Sequence, residues 1–289
     1  NVVNLTSFSL DFVMEPGVSV GQLLDFFESA PRLLTVELTF SNPAFGAQNG
    51  RLVPLAHLRR LYIRGYQPFS LLLNHILVPA GATLETELES PSFNIEDHLP
   101  RSLANLKNLS NFDQICLHFK HRTASVRFTG PNGQVYVTST FLPSDATRSV
   151  SQSLIQLPTS TSNCLEVING DLLSVDLCQA LLSIKTLRTL TLSLCKNLPS
   201  FILALDHDPN SRKPISCPKL DRLIFRTKER FDVKSMVKVA AARASGGVPL
   251  SSVSIINRGE PVPREGVMEL LKHVSHVETS FEIGGDKGE

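Results

Sequence analysis

Two histidines three residues apart in "HFKH", His118 and His121, are the first side chains whose type and spacing could ligate a metal. The surrounding residues read as a strand or a strand end, where a separation of three sends side chains to opposite faces, so a shared ion is not expected. Asp206, His207 and Asp208 stand together in the polar, proline-bearing stretch "DHDPNSRKPISCP" and could offer oxygen and nitrogen donors. Solvation is the ordinary state of such a loop. His273 and His276 flank a helix end, where an imidazole meets the negative end of the helix dipole without further purpose. No metal is expected at any of the three places.

Acid–base and nucleophilic chemistry have less to work with. Glu85 and Glu87 share one strand face without a visible acid–base partner. The chain carries no GxSxG, no protease-type cysteine context and no kinase signature. It also lacks the phosphate loops GxxxxGK[ST] and GxGxxG; Gly246-Gly247 follows a helical stretch and reads as its C-terminal stop. Cysteines at 116, 164, 178, 195 and 217 form an odd set with no CxxC pair, which reads as buried, reduced thiols of an intracellular protein, cytoplasmic or nuclear. The sequons at Asn4 and Asn108 would matter only in a secreted chain. The reading is a non-enzyme without catalytic residues or cofactor, though a site in the 142–165 or 206–218 loops is the enzyme alternative.

Bulk properties point the same way. With 289 residues the chain can bury roughly 70 to 75 % of its unfolded surface, enough for a large core. Balanced charges, with a formal net of +1, advertise neither nucleic acid nor an anionic membrane, so a protein partner is expected. No apolar run of 18 residues or signal peptide is visible. The opening "NVVNLTSFSL" lacks a methionine and reads as a strand, which suggests that further sequence precedes it.

The element pattern is a repeat of uneven rhythm. In "LAHLRRLYIRG", Leu58, Leu61 and Ile63 are separated by three and then two residues. The same LxxLxL beat recurs at Leu33-Val36-Leu38, Leu187-Leu190-Leu192, Leu220-Leu223-Phe225 and Leu250-Val253-Ile255, with weaker echoes starting at Leu84, Leu109, Leu165 and Val274. Two residues two apart point to one face of a strand, and the first comes from the turn that enters it. Helical spacing lies between copies: Val20, Leu23, Leu24 and Phe27; Leu71, Leu72 and His75; Leu177, Ala180, Leu181 and Ile184; Val233, Met236, Val237 and Ala240; Val267, Leu270 and Leu271. A period of about 25 residues falls in the leucine-rich-repeat window. The expectation is α/β: a single leucine-rich-repeat solenoid over 1–289, its curved parallel sheet on the concave side and helices on the convex side. Residues 120–160 are expected as an irregular insertion holding a β-hairpin near 124–142, turned at Gly130-Pro131-Asn132-Gly133; 283–289 reads as a disordered tail.

The blocks "LLDFFESAPRLLTVEL", "LVPLAHLRRLYIRG", "LLLNHILVPAGATLETEL" and "GPNGQVYV" resemble the leucine-rich region of fungal F-box-like proteins, over about Leu5 to Phe281. The F-box itself is not in this chain. The resemblance implies the substrate-recognition region of a cullin-RING ubiquitin ligase, with a Skp-type adaptor reached only through the missing F-box. Another intracellular leucine-rich scaffold or sensor is the alternative. One departure is the asparagine usual after the strand, which is missing after Leu38, Ile63 and Leu192. Strand residues that alternate outward are the expected partner contacts: Arg60, Tyr62, Arg64, Thr189, Thr191, Arg222 and Arg226, with arginine and tyrosine the types enriched in interface anchors.

Overall fold

The computed structural model describes residues 2–12, 18–40, 50–109, 112–140, 162–171, 180–181, 184–205, 217–258 and 260–281. It is α/β, with mostly parallel strands and helices between them. The chain divides into two compact units, Asn1–Ile115 with Lys120–Ser153, and Cys116–Phe119 with Leu154–Glu289.

The first unit contains β1 (Ser7–Phe12), α1 (Val20–Ser29), β2 (Thr35–Phe40), β3 (Val53–Pro54), β4 (Arg60–Gly65), α2 (Ser70–Leu73), β5 (Ile76–Leu77), β6 (Thr83–Glu89) and α3 (Ile95–His98). After β7 (Gln114–Lys120), whose central residues belong to the second unit, it adds β8 (Thr123–Gly130) and β9 (Gly133–Thr140). Its main sheet runs β1-β2-β4-β6-β9-β8. All neighbours are parallel except β8 and β9, the expected hairpin, closed by the two-residue turn Pro131-Asn132 between Gly130 and Gly133. A short second ladder pairs β3 with β5. The second unit contains β10 (Cys164–Ile168), β11 (Thr189–Ser193), α4 (Leu198–Ala204), β12 (Arg222–Thr227), α5 (Val233–Ser245), β13 (Ser252–Asn257), α6 (Arg264–Leu270) and β14 (His276–Phe281). Its strands β10 to β14 pair in sequence order, all parallel.

The LxxLxL beat has a local cause that recurs in both units. In four of the five clear beats the first residue closes a tight turn: Leu33, Leu58, Leu187 and Leu220 donate their N–H groups to the carbonyls of Ala30, Leu55, Ile184 and Cys217. Those leucines are all buried, as are the inward strand residues Val36, Leu38, Leu61, Ile63, Leu190, Leu192, Leu223 and Phe225. At five places just before a strand, a single carbonyl then receives two successive N–H groups from the next one. Thr6 takes those of Leu34 and Thr35; Leu34 takes Arg59 and Arg60; Asn163 takes Arg188 and Thr189; Arg188 takes Asp221 and Arg222; Asp221 takes Ser251 and Ser252. This relay satisfies backbone groups that would otherwise be stranded where turn becomes strand.

Three weak echoes sit differently from expectation. Leu84 lies opposite Leu61, and Leu165 opposite Leu190, so each is the second member of its beat; Gly81 and Ser162 hold the first place. Leu109 ends a 3₁₀ turn, Lys107–Leu109, and starts no strand beside β6. The strand that does pair with β6 is β9, with Leu84 opposite Val135, so part of the expected irregular insertion is a regular rung of the sheet. Residues 141–161, 206–216 and the expected tail at 283–289 lie outside the described residues.

The helices follow their spacing with local shifts. Ser19 caps α1 reciprocally: its hydroxyl accepts from the Gln22 N–H at 3.3 Å, and the Gln22 side chain accepts from the Ser19 N–H at 2.9 Å. The helix then buries Val20, Leu23, Leu24 and Phe27, as expected. In α2 the core takes Leu72 and Leu73 while Leu71 is exposed, and in α5 it takes Val239 where Val237 was expected. Leu270 of α6 is buried; Leu271, just beyond it, is exposed. Leu177 lies outside the described residues, whereas Ala180, Leu181 and Ile184 are buried. Among the described residues no helix is long and apolar enough to cross a membrane.

Candidate partner-binding face

Strand β4 alternates strictly: Leu61 and Ile63 are fully buried while Arg60, Tyr62 and Arg64 face outward. Strand pairing extends those three residues into rows across the first unit. The middle row reads Ser9, Glu37, Tyr62, Glu85, Tyr136 and Arg127; it is flanked by a row through Thr35, Arg60, Thr83 and Gln134, and by one through Thr39, Arg64, Glu87 and Thr138. Side chains in such rows stand about 5 Å from their cross-strand neighbours, close enough for paired charges to meet.

They do meet. Arg60 Nε and Nη2 donate to the two carboxylate oxygens of Glu85 at 3.2 and 3.4 Å, and Nη1 lies 3.3 Å from Glu37 Oε1. Arg64 Nη2 lies 2.8 Å from Glu89 Oε1, and its Nε 3.7 Å from Glu87 Oε1. The Tyr62 hydroxyl donates to Glu87 Oε2 at 3.0 Å. Hydrogen bonds to Glu85 and Glu89 hold the Arg60 and Arg64 guanidinium groups above the usual arginine range. Tyr62 titrates above the usual phenol range, first because it is partly buried and then because its proton is held by Glu87. Between β4, β6 and β9 these side chains surround a concavity of about 420 Å³, lined by Tyr62, Thr83, Glu85, Thr86, Glu87, Gln134, Tyr136 and Thr138.

The second unit carries the other four expected contacts on a drier face. Thr191 is 6 % exposed, Thr189 is half-buried as Tyr62 is, and Arg222 is exposed. Arg226 Nη1 donates to Glu166 Oε1 at 2.9 Å and to the Ser193 hydroxyl at 3.3 Å, and that hydroxyl donates to the same carboxylate oxygen.

The residues that might have done chemistry stay apart. His118 lies on β7, with Nε2 3.5 Å from the Asn169 side-chain nitrogen, and His121 sits in the turn after it. Among the described residues no three His, Cys, Asp or Glu side chains are grouped to hold a metal. Asp206, His207, Asp208 and Cys178 lie outside them. Burial pushes the Cys195 and Cys217 thiols up to about 11, the reverse of an activated nucleophile. Asn108 is fully buried, and its amide donates to the Ala82 and Gln134 carbonyls at 3.0 and 3.3 Å, which leaves no room for a glycan.

The sequence places Arg60, Tyr62 and Arg64 outward on their strand, as the structure has them, but does not bring Gln134, Tyr136 and Thr138 beside them, because 120–160 reads as an insertion. The signal was present: "QVYVT" alternates polar and apolar residues just as "RLYIR" does. No family model matches the chain, and no curated protein matches it.

Proposed function

We propose that the chain is a protein-recognition module built as a leucine-rich-repeat solenoid, and that it serves an F-box-like protein as the region that receives substrates for a cullin-RING ubiquitin ligase. The recurring entry turn and the carbonyl relay support the repeat reading, since the same local devices return at successive strands of both units. The recognition reading rests on one observation: Tyr62 and Tyr136 stand on either side of Glu85 in a single cross-strand row, at the mouth of a 420 Å³ concavity. Tyrosines with a fixed polar group between them are what anchors an interface. The first unit is therefore the receiving face, and Arg60 and Arg64 set its electrostatics.

Purification of the full-length product from its own cells tests both parts. A Skp-type adaptor and a cullin should co-purify with it, and Arg60→Glu with Tyr62→Ala should remove a crosslinked partner while keeping the adaptor and the melting temperature. An unchanged set of crosslinks at this face would refute the recognition reading. Retention of the partner without any adaptor would refute the ligase role alone.

A further inference from the structure

The concavity has a definite charge and a definite shape. None of its eight lining residues is basic, two are carboxylates and two are tyrosines. Register places the tyrosines one strand to each side of Glu85, so their backbones are two strand spacings apart, about 10 Å. The Glu85 side chain stands in the same row between them, and all three line the concavity.

We propose that this concavity binds the cationic side chain of a lysine or arginine on a partner polypeptide, the positive charge resting on Glu85 and Glu87 and the stem lying between Tyr62 and Tyr136. The proposal rests on the recognition reading above and names the chemistry of what is recognised. Three features carry it.

The first is unused acceptor capacity. A carboxylate has about four lone-pair sites. Glu85 is met by Arg60 at 3.2 and 3.4 Å, the long end of hydrogen bonding, and Glu87 by Tyr62 at 3.0 Å and by Arg64 only at 3.7 Å. Both carboxylates can accept a further donor.

The second is that each ring already has a guanidinium beside it. Arg60 lies 6.0 Å from the Tyr62 centroid, and Arg127 lies 6.0 Å from that of Tyr136. Arg127 is on β8, on the side of β9 away from β6, so it does not occupy the gap between the tyrosines. The third is the rim of Thr83, Thr138 and Gln134, whose hydroxyls and amide suit the peptide groups next to such a side chain. An anion would face two carboxylates, and an aliphatic side chain would strip water from them without replacing it.

The chain has no tryptophan and three tyrosines, two of them lining the concavity. A Tyr66→Phe background therefore makes its emission a direct report on Tyr62 and Tyr136. The probes are Ac-Gly-Gly-X-Gly-Gly-NH2 peptides with X as Lys, Arg, Gln or Glu, with spermidine as the free-amine arm. Lysine and arginine peptides should give a saturable change, at least about tenfold tighter than the glutamine and glutamate peptides. Glu85→Gln should weaken them by about tenfold or more, whereas Glu28→Gln, an equal loss of charge on α1, should leave them unchanged. Equal affinity for the lysine and glutamine peptides, insensitivity to Glu85→Gln, or spermidine binding tighter than either peptide would overturn the proposal. Should the peptides fail while Arg60→Glu with Tyr62→Ala still removes the crosslinked partner, the cation proposal falls and the recognition reading stands.

Discussion

His98 should make the first unit acid-sensitive in a way that no surface group can. Its ring is fully buried at the end of α3, stacked on Phe93 at 5.6 Å and edge-on to Phe69 at 6.1 Å. Nδ1 is 3.1 Å from the Thr86 hydroxyl on β6, and Nε2 is 2.9 Å from the Ser139 hydroxyl on β9. Burial pushes its pKa from 6.5 down to about 3. The folded state thus holds a neutral imidazole, while the unfolded chain takes up a proton below pH 6.5. Stability from this group is complete above pH 6.5 and is lost as pH falls toward 3, at about 1.4 kcal/mol per pH unit. Between pH 7 and pH 5 that amounts to about 2 kcal/mol, a sizeable share of the 5–15 kcal/mol typical of a domain. Urea unfolding at pH 7, 6 and 5, followed by tyrosine emission, measures it. The reference is His98→Leu with Thr86→Val and Ser139→Ala, which removes the base and both of its partners together, because His98→Leu alone would strand two buried hydroxyls. Carboxylates elsewhere titrate alike in both proteins, so the difference between the curves isolates His98. Parallel stability–pH curves for the two proteins would refute the reasoning.

Substitutions at Gly133, Gly247 and Arg243 probe packing within each unit. Gly133 has φ +127°, and a Cβ there would lie 2.6 Å from the Ala82 carbonyl oxygen and 3.0 Å from the Asn108 Cβ, so Gly133→Ala should cost about 2 kcal/mol or more in urea unfolding. Gly247→Ala, at φ +77° with nothing within 4 Å of the added carbon, carries backbone strain alone and should cost about 1 kcal/mol; equal costs would mean that the close approach at Gly133 relaxes freely. In the second unit, Arg243 of α5 is fully buried and donates through Nη2 to the Cys217 and Leu220 carbonyls at 3.1 and 3.2 Å, bracing the turn that enters β12. Arg243→Ala should lower stability by about 3 kcal/mol or more, and Arg243→Lys should not restore it, since a point charge cannot reproduce the guanidinium fork; a loss under 1 kcal/mol in thermal unfolding would show the brace to be dispensable.

How far the sequence could be read depended on whether the responsible contacts were local. The beat at Leu58, Leu61 and Ile63 is legible because a tight turn and a two-residue alternation are both written between Leu55 and Ile63. It slipped at Leu84 and Leu165 for a physical reason: Gly81 and Ser162 stand where the entry leucine should, so the second apolar residue was taken for the first. The outward direction of Arg60, Tyr62 and Arg64 was likewise local. Their partners were not, because Glu85 becomes a neighbour of Tyr62 only through strand register, and Tyr136 reaches Glu85 only because β9 pairs directly with β6, past the whole segment between them. That register changes the meaning of the arginines. Read alone, Arg60 and Arg64 suggest a basic patch that seeks an acidic partner. Set between Glu37, Glu85, Glu87 and Glu89, they act instead as internal counter-ions that let a row of carboxylates stand close together around two tyrosines. The sign of this face is therefore opposite to the sign its most conspicuous residues suggest.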